Sequence, residues 1–422
     1  MINKKLLGVV ALTALGVAGL ASCSTGPDLT LTVWAPSSDA DFVNAQIAKF
    51  KEANPTFVEE GRDIKILAAV SEGEIQDKYG TDFKAGAEIA FAADDNIRNC
   101  ADGGYIQALD ADTTARLVAR DGQEAVDAGT INGKAYGYPY RGDNGYVLYV
   151  DSSIVDDEAA KSIEGIVKAC RDAGAKFYFP LRNAWYTPCF LFAVGGEIEV
   201  GTDGKIHSNF NSPECIAGLE AMNTILDQAT DVMVTSGDDI DPNAVLAGLS
   251  ENATTKTGAA IMWNDYERQH AANEFVKPHA LPTYTVNGEA HALKSFLGYK
   301  HVVVRAEMSE EESAWAHKFA EFISDYDAQK TRYDELGHGG TNLKLLDETN
   351  NFEDVPHLQI LNEMKADGNT VPQGVNVTSA FWDPCKNVGV VMCDNTSGWG
   401  TYNSAQEVLD ALVTSDGWVE ME

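Results

Sequence analysis

Short apolar segments alternate with longer amphipathic segments along most of the chain, and this alternation restricts the fold more than any other feature. Residues 29–34, 64–70 and 88–92 have the length and apolar content of buried strands. Residues 41–54 repeat apolar side chains at helical spacing and end at an Asn-Pro step, which helices rarely pass. Strands that alternate with helices predict an α/β fold.

The length of the chain predicts more than one domain. A single hydrophobic core stops growing at roughly 250 to 300 residues, and this chain has 422. We therefore expect two domains of comparable size, joined without a long flexible linker. The same patterns predict helices and strands further along the chain: helices over 163–173, 214–228 and 310–326, and strands over 146–150, 177–181, 258–262 and 296–305.

The charge balance excludes two classes of partner. The chain has 31 lysines and arginines against 64 aspartates and glutamates, a formal net charge of −33. Such a field repels the phosphates of nucleic acids and anionic lipid headgroups. We expect no nucleic-acid partner and no membrane contact through a basic face, and the charge does not obstruct a neutral ligand.

The N-terminus has the features of an export signal. Two lysines precede an apolar run of about 15 residues, which is shorter than the ~20 that span a bilayer. The run ends in Leu20-Ala21-Ser22-Cys23, which resembles the lipobox of bacterial lipoproteins. We therefore expect a signal peptide over 1–22, a lipidated Cys23 with a tether over 23–28, and anchoring to the outer face of the bacterial cytoplasmic membrane. A plain signal peptide is the alternative.

Six further cysteines leave the disulfide state open, because six thiols allow 15 connectivities. They are Cys100, Cys170, Cys189, Cys215, Cys385 and Cys393. No CxxC pair or Cys/His metal spacing occurs among them. Asp239, Asp241 and Asn243 imitate the start of a calcium loop, but Ala244 and Ser250 stand where that loop requires Gly and Glu. We expect no metal or cofactor.

The sequence also lacks the common catalytic motifs. It contains no nucleophile elbow, zinc-protease helix motif, P-loop or dinucleotide-binding glycine motif. With 64 acidic residues, a suitable pair of carboxylates occurs by chance, so such a pair gives no evidence for a glycosidase. We therefore expect a protein that is not an enzyme.

Several short motifs occur in a recognisable order. They are Leu31-Thr32-Val33-Trp34, Ala87-Glu88-Ile89-Ala90-Phe91, Ile131-Asn132-Gly133-Lys134 followed by Tyr138-Pro139, Gly195-Gly196, Leu281-Pro282-Thr283 and Ser379-Ala380-Phe381-Trp382. Together with the lipobox they resemble the maltose/maltodextrin-type solute-binding lipoproteins of ABC sugar importers, bacterial solute-binding protein family 1.

The resemblance implies a two-lobed, periplasmic-binding-protein-like α/β fold of type II. Each lobe is a sheet flanked by helices, and the chain crosses the hinge more than once. We place the first lobe at 29–141 plus 300–345 and the second at 143–296 plus 346–422. The implied function is capture of a maltodextrin-like oligosaccharide between the lobes, by a monomer, and its delivery to ABC permease subunits.

Polar candidates for the sugar site follow from the resemblance and from sugar chemistry, because hydroxyl groups need carboxylate or amide partners. Asp95 and Asp143 match positions where the family's carboxylates take sugar hydroxyls. Asn183 stands where the family has a Glu. Ser38 and Asp39 lie in a loop where the family offers further polar contacts. A helix cap or a solvated surface position is the alternative role for Asp95 and Asp143.

Aromatic side chains are expected to lie under the sugar rings. Trp382 matches the family's stacking Trp, Trp185 falls where the family has an aromatic ring, and Tyr266 falls near another stacking position, with Trp263 as its substitute. Packing in the core is the alternative role for each. Ala92 replaces a family Trp, so the sugar itself stays open. A different oligosaccharide or a polyol is the main alternative ligand, and a surface glycan-binding or glycan-hydrolysing lipoprotein is the other class.

Overall fold

The computed structural model describes residues 29–235, 245, 248, 255–263, 275–374, 376–395 and 398–421. The expected signal peptide, Cys23, Tyr266 and the acidic segment 239–243 lie outside the described residues.

Strands of two to fifteen residues occur throughout the described ranges. They are β1 (Leu29–Ala35), β2 (Arg62–Ala69), β3 (Ile89–Ala93), β4 (Thr130–Ile131), β5 (Lys134–Ala135), β6 (Gly137–Asp151), β7 (Lys176–Tyr178), β8 (Ile198–Val200), β9 (Ile206–Ser208), β10 (Met233–Val234), β11 (Thr257–Trp263), β12 (Val276–His279), β13 (Thr283–Val286), β14 (Glu289–Ala292), β15 (Ser295–Val304), β16 (Thr370–Pro372) and β17 (Trp418–Glu420).

Helices alternate with these strands and dominate the last third of the chain. They are α1 (Ala40–Ala53), α2 (Pro55–Glu59), α3 (Ile75–Thr81), α4 (Asp94–Asp102), α5 (Ala111–Asp121), α6 (Gln123–Asp127), α7 (Ile163–Ala173), α8 (Cys189–Ala193), α9 (Pro213–Gln228), α10 (Glu310–Ile323), α11 (Tyr326–Leu336), α12 (Leu343–Glu348), α13 (Pro356–Ala366), α14 (Trp382–Asp394) and α15 (Ala405–Val413). The α/β class predicted from the sequence is confirmed.

One continuous ladder of strands connects the two halves of the molecule. Its order is β10-β7-β11-β6-β15-β3-β1-β2, with β12 also paired to β6 and β16 to β15. The strands β1, β2 and β3 are parallel, so their carboxyl ends share one edge. The long strands β6 and β15 run antiparallel at the centre of the ladder.

The two largest hydrophobic cores among the described residues lie on either side of this central pair. One core is built by residues between 31 and 140 and between 302 and 328, and the other by residues between 146 and 297 and between 361 and 418. We call these halves the first and the second lobe. Strands β6 and β15 contribute to both cores, so the chain crosses between the lobes along them. The exact lobe boundaries stay a prediction.

Local capping explains where individual helices begin and end. Helix α7 has the predicted bounds because the Ser162 hydroxyl accepts from the Gly165 amide at 3.1 Å and Gly174 adopts a φ of 65°. The predicted helix over 310–326 is interrupted, because the Asp325 side chain accepts from the Ala328 amide at 2.9 Å and begins α11.

The six cysteines after Cys23 are free, and five of them are buried. Among the described helices, none combines the length and the apolar character that a membrane span requires.

Candidate functional site

A cavity of about 730 Å³ lies between the two lobes. Its walls come from both lobes and from the crossing strands: Ser38, Ser71, Glu72, Gly73, Glu74, Ala93, Asp95 and Asn96 from the first lobe, Asn183, Trp185, Trp263, Gln373 and Trp382 from the second, and Arg141, Asn144 and Lys300 from β6 and β15. We call this cavity the cleft.

The topology of the first lobe explains why polar side chains meet there. Ser38 follows β1, Glu72 follows β2 and Asp95 follows β3. Because these strands are parallel, their carboxyl ends open at the same edge of the sheet, where ligands bind in open α/β sheets. In the second lobe, Trp263 is the last residue of β11 and Trp382 is the first residue of α14.

Asp95 is one of three acidic residues that line the cleft, and it is only 5% exposed. Its Oδ1 accepts a hydrogen bond from Gln373 Nε2 at 3.0 Å, and its Oδ2 accepts from Asn96 Nδ2 at 3.3 Å. Burial raises the pKa of Asp95, and these hydrogen bonds lower it in part. Asp94, directly behind it, accepts from the Tyr299 amide at 2.8 Å. Burial, and secondly the charge of Asp95, raises the pKa of Asp94 to about 8.

Indole rings form the apolar part of the wall. The Trp185 ring meets Tyr146 edge to face, with ring centres 5.0 Å apart, and its Nε1 donates to Gln373 Oε1 at 2.9 Å. Trp382 is half-buried and packs edge to face on Phe381. Trp263 is 39% exposed. Each ring therefore keeps surface toward the cleft while its position is fixed by packing or by a strand end.

Asn183 shapes the wall next to Trp185. Its Oδ1 accepts from the Trp185 amide at 2.9 Å, which closes a tight turn. Asn183 itself lines the cleft. The structure therefore brings Ser38, Asp95, Asn183, Trp185 and Trp382 together around one cavity.

Two of the expected site residues lie behind the cleft wall. Asp39 is buried and forms an ion pair with Arg332, and its Oδ1 accepts from the Ser38 hydroxyl at 3.0 Å. Asp143 accepts from Arg141 Nε at 2.8 Å and Nη2 at 3.0 Å, and from the Gly339 amide at 2.8 Å. Neither carboxylate lines the cavity. Their hydrogen-bond partners Ser38 and Arg141 line it instead.

Other lining residues are absent from the sequence prediction. Glu72 accepts from Lys300 Nζ at 3.2 Å and from the Tyr140 hydroxyl at 3.1 Å. Glu72 follows β2 as Asp95 follows β3, so the strand-end argument would have found it. Lys300 and Gln373 carry no local signal, because their partners lie 228 and 278 residues away in the sequence.

The chemistry of the cleft suits a neutral ligand rich in hydroxyl groups. Carboxylate and amide groups offer hydrogen bonds, and the indole faces offer apolar contact. The two cations on the wall, Arg141 and Lys300, form ion pairs with Asp143 and Glu72. Within the ranges that the structure describes, no group of three His, Cys, Asp or Glu side chains could hold a metal ion.

Comparison with solved structures shows a shared fold at low identity. A structure determined with acarbose has a TM-score of 0.76 and 22% identity, over 91% of this chain and 97% of that chain. The maltodextrin-binding protein MalE1 from L. casei BL23 has a TM-score of 0.72 and 16% identity, over 91% and 97%. The maltose/maltodextrin-binding domain MalE from Bdellovibrio bacteriovorus, bound to maltotriose, has a TM-score of 0.72 and 17% identity, over 91% and 98%.

These neighbours confirm the two-lobed fold that the resemblance implied. A comparison with curated proteins finds no significant match. The family model of the bacterial extracellular solute-binding proteins matches residues 45–360, well over half of the chain. With two cores, two crossing strands and a cleft between the lobes, the chain belongs to the family of bacterial extracellular solute-binding proteins.

Proposed function

We propose that the protein is the substrate-binding component of an ABC importer and takes a maltodextrin-like oligosaccharide in the cleft. The observation that supports this most is the lining of the cleft, where three indole rings of the second lobe and a buried carboxylate of the first lobe border the same cavity. The cavity of about 730 Å³ is within the range of small-molecule sites. Solved structures with the same fold are described with acarbose, maltotriose and maltotetraose.

We assign the ligand contacts to the expected residues that line the cavity. Trp382 and Trp185 offer their ring faces to the apolar faces of the sugar rings. Asp95, Asn183 and Ser38 form hydrogen bonds with sugar hydroxyls. Asp39 and Asp143 act indirectly, since their carboxylates hold Ser38 and Arg141 in the wall.

The division of these groups between two lobes makes closure depend on the ligand. Asp95 and Ser38 belong to the first lobe, and Asn183, Trp185 and Trp382 to the second. A ligand that contacts both sets favours the closed arrangement, because only there are all its partners satisfied. The closed monomer would then deliver the bound oligosaccharide to the permease, and lipid on Cys23 would hold the protein near the membrane.

Isothermal titration calorimetry of the chain without residues 1–23 tests the proposal. The ligands are glucose, maltose, maltotriose, longer linear and cyclic maltodextrins, and unrelated oligosaccharides. We expect saturable binding of α-glucans without hydrolysis. Binding of another oligosaccharide alone would retain the receptor class and show that Ala92 and Asn183 change its specificity. Heat from continuing turnover, or no binding of any sugar, would contradict the proposal.

A further inference from the structure

We propose that Gln373 is a positioning residue that joins the ligand-binding groups of the two lobes. Gln373 follows β16, and its backbone amide donates to the Leu297 carbonyl of β15 at 3.2 Å. Val371 and Val377 on either side pack in the second-lobe core. The Gln373 side chain lines the cleft and is 3% exposed. This inference rests on the proposed function, because it concerns the same site.

The oxygen and the nitrogen of the Gln373 side-chain amide each form a hydrogen bond, one within the second lobe and one to the first lobe. Its Oε1 accepts from Trp185 Nε1 at 2.9 Å within the second lobe, and its Nε2 donates to Asp95 Oδ1 at 3.0 Å in the first lobe. An indole N–H can only donate, and an ionised carboxylate can only accept. An amide has one acceptor group and one donor group, so it satisfies both neighbours at once.

This bridge fixes the two groups that the ligand is expected to contact. The Trp185 ring is held at its N–H edge by Gln373 and by an edge-to-face contact with Tyr146 at 5.0 Å. Asp95 accepts from Gln373 through Oδ1 and from Asn96 through Oδ2, so the orientation of its carboxylate is set. Groups fixed before binding lose less conformational entropy on binding, which strengthens affinity.

A second contact supports the bridge one helical turn further along α4. The Asn99 side-chain oxygen accepts from the Ser379 amide at 3.2 Å. Asp95 and Asn99 are four residues apart and therefore lie on the same face of α4. That face therefore contacts the second lobe at Gln373 and at Ser379, so Gln373 belongs to a lobe-to-lobe contact.

Charged groups around the bridge decide how a substitution titrates. Behind Asp95 lies Asp94, and the acidic Glu74 lines the same cavity. The nearby cations Lys300 and Arg141 form ion pairs with Glu72 and Asp143. A carboxylate placed at position 373 would therefore face Asp95 in predominantly acidic surroundings.

The variants Gln373→Glu and Gln373→Leu separate the two hydrogen bonds. At about pH 9, where both carboxylates are ionised, Gln373→Glu keeps an acceptor for Trp185 but loses the donor to Asp95. We expect its affinity for the tightest-binding α-glucan to fall by about tenfold relative to the unmodified protein. At about pH 5 the carboxylate at position 373 and Asp95 share one proton, which restores a donor. The affinity relative to the unmodified protein should therefore recover by about threefold or more. Gln373→Leu should stay weak at both pH values.

The matched control is Gln359→Glu on α13. The exposed Gln359 amide also donates to a carboxylate, that of Glu363 at 3.1 Å. This variant breaks the same type of hydrogen bond away from the cleft, and we expect affinity unchanged within about twofold at both pH values. Circular dichroism shows that each variant is folded before its affinity is compared.

A readout without sugar separates the two proposals. The Trp185 contribution to fluorescence is the difference between each protein and its Trp185→Phe partner. We expect its emission to shift in Gln373→Leu, which removes the indole acceptor, and to change little in Gln373→Glu. If the unmodified protein binds no sugar, the proposed function fails while this measurement still tests the bridge. Unchanged Trp185 emission in Gln373→Leu, or α-glucan affinity that shows no pH-dependent recovery in Gln373→Glu, would overturn the role of Gln373.

Discussion

The guanidinium of Arg332 and the carboxylate of Asp39 form an ion pair with only 1% and 2% of the side chains exposed. The Arg332 guanidinium carbon lies 4.1 Å from the ring centre of Phe42 and 4.6 Å from that of Tyr140. Burial acts to raise the pKa of Asp39, but Arg332, with His338 and Arg141, holds that pKa well below its usual range. Asp39 is therefore charged at neutral pH and supports Ser38 from behind.

Replacement of Asp39 should affect stability far more than binding. Asp39→Asn leaves the buried Arg332 charge without its counterion, so we expect the free energy of unfolding to fall by about 3 kcal/mol, measured by urea denaturation. The control Asp172→Asn breaks the exposed pair with Lys168 and should cost less than about 1 kcal/mol. A large loss of sugar affinity at unchanged stability would instead place Asp39 in contact with the ligand.

Trp382 tests the aromatic part of the site. It is half-buried at the start of α14 and lines the cleft. We expect Trp382→Ala to weaken sugar binding by about tenfold or more, because a stacked aromatic ring contributes over ~1 kcal/mol. Trp399→Ala removes another half-buried Trp of the second lobe and should leave the calorimetric affinity nearly unchanged. Equal affinities of folded Trp382→Ala and the unmodified protein would refute the assignment.

Helix α14 holds Trp382 in place through a close contact at Gly389. A Cβ at Gly389 would lie 2.0 Å from the Leu181 carbonyl oxygen, a backbone atom that cannot move away by itself. We expect Gly389→Ala to lower the free energy of unfolding by about 2 to 3 kcal/mol. At Gly80 in α3 the nearest atom to such a Cβ is the Tyr105 hydroxyl at 3.6 Å. Gly80→Ala should therefore be stabilising, by up to about 1 kcal/mol. Equal melting temperatures for the two variants would contradict this packing.

Regular elements with local signals were predictable from the sequence. The helix over 163–173 has its N-cap at Ser162 and its αL glycine at Gly174, and both signals are local. The sequence predicts a strand over 146–150, whereas β6 extends without a break over Gly137–Asp151. Pro139, Gly142 and Gly145 argue against a strand locally. Pairing with β15 outweighs that preference, and such distant pairing leaves no local pattern.

The site was predictable where a side chain follows a strand or belongs to a family motif. Asp95 and Trp382 are such residues, and both line the cleft. Asp39 lies in the loop after β1, so the sequence predicts a ligand contact there. Its partner Arg332 lies 293 residues away, and the sequence therefore gives no sign that the Asp39 side chain turns away from the cleft. Ala92 likewise lies outside the cleft, although the sequence resemblance places it at a ligand position. It is completely buried opposite His301 on β15, and the next residue, Ala93, lines the cleft.

His301 lies on crossing strand β15 and is 0% exposed. Its Nε2–H donates a hydrogen bond to the Ala125 carbonyl oxygen at 2.9 Å. Its Nδ1 has no hydrogen-bond partner within the described ranges. Burial lowers the pKa of His301 to about 4, despite the opposing effect of the Ala125 hydrogen bond. In the unfolded chain His301 has an ordinary pKa of about 6.5. Between pH 4 and pH 6.5, His301 therefore binds a proton in the unfolded chain but not in the folded protein.

Stability contributed by neutral His301 should therefore be complete above about pH 6.5 and be lost as the pH falls toward 4. We expect the unmodified protein to lose about 2 to 3 kcal/mol more than His301→Gln between pH 7 and pH 4.5, measured by urea denaturation. The Gln amide can still donate to Ala125. Comparison of the two proteins cancels the opposite effect of Asp94, whose raised pKa is common to both. His291→Gln, at a half-buried position on β14, is the control and should retain the full pH dependence. If His301→Gln loses as much stability in acid as the unmodified protein, another group causes the acid sensitivity.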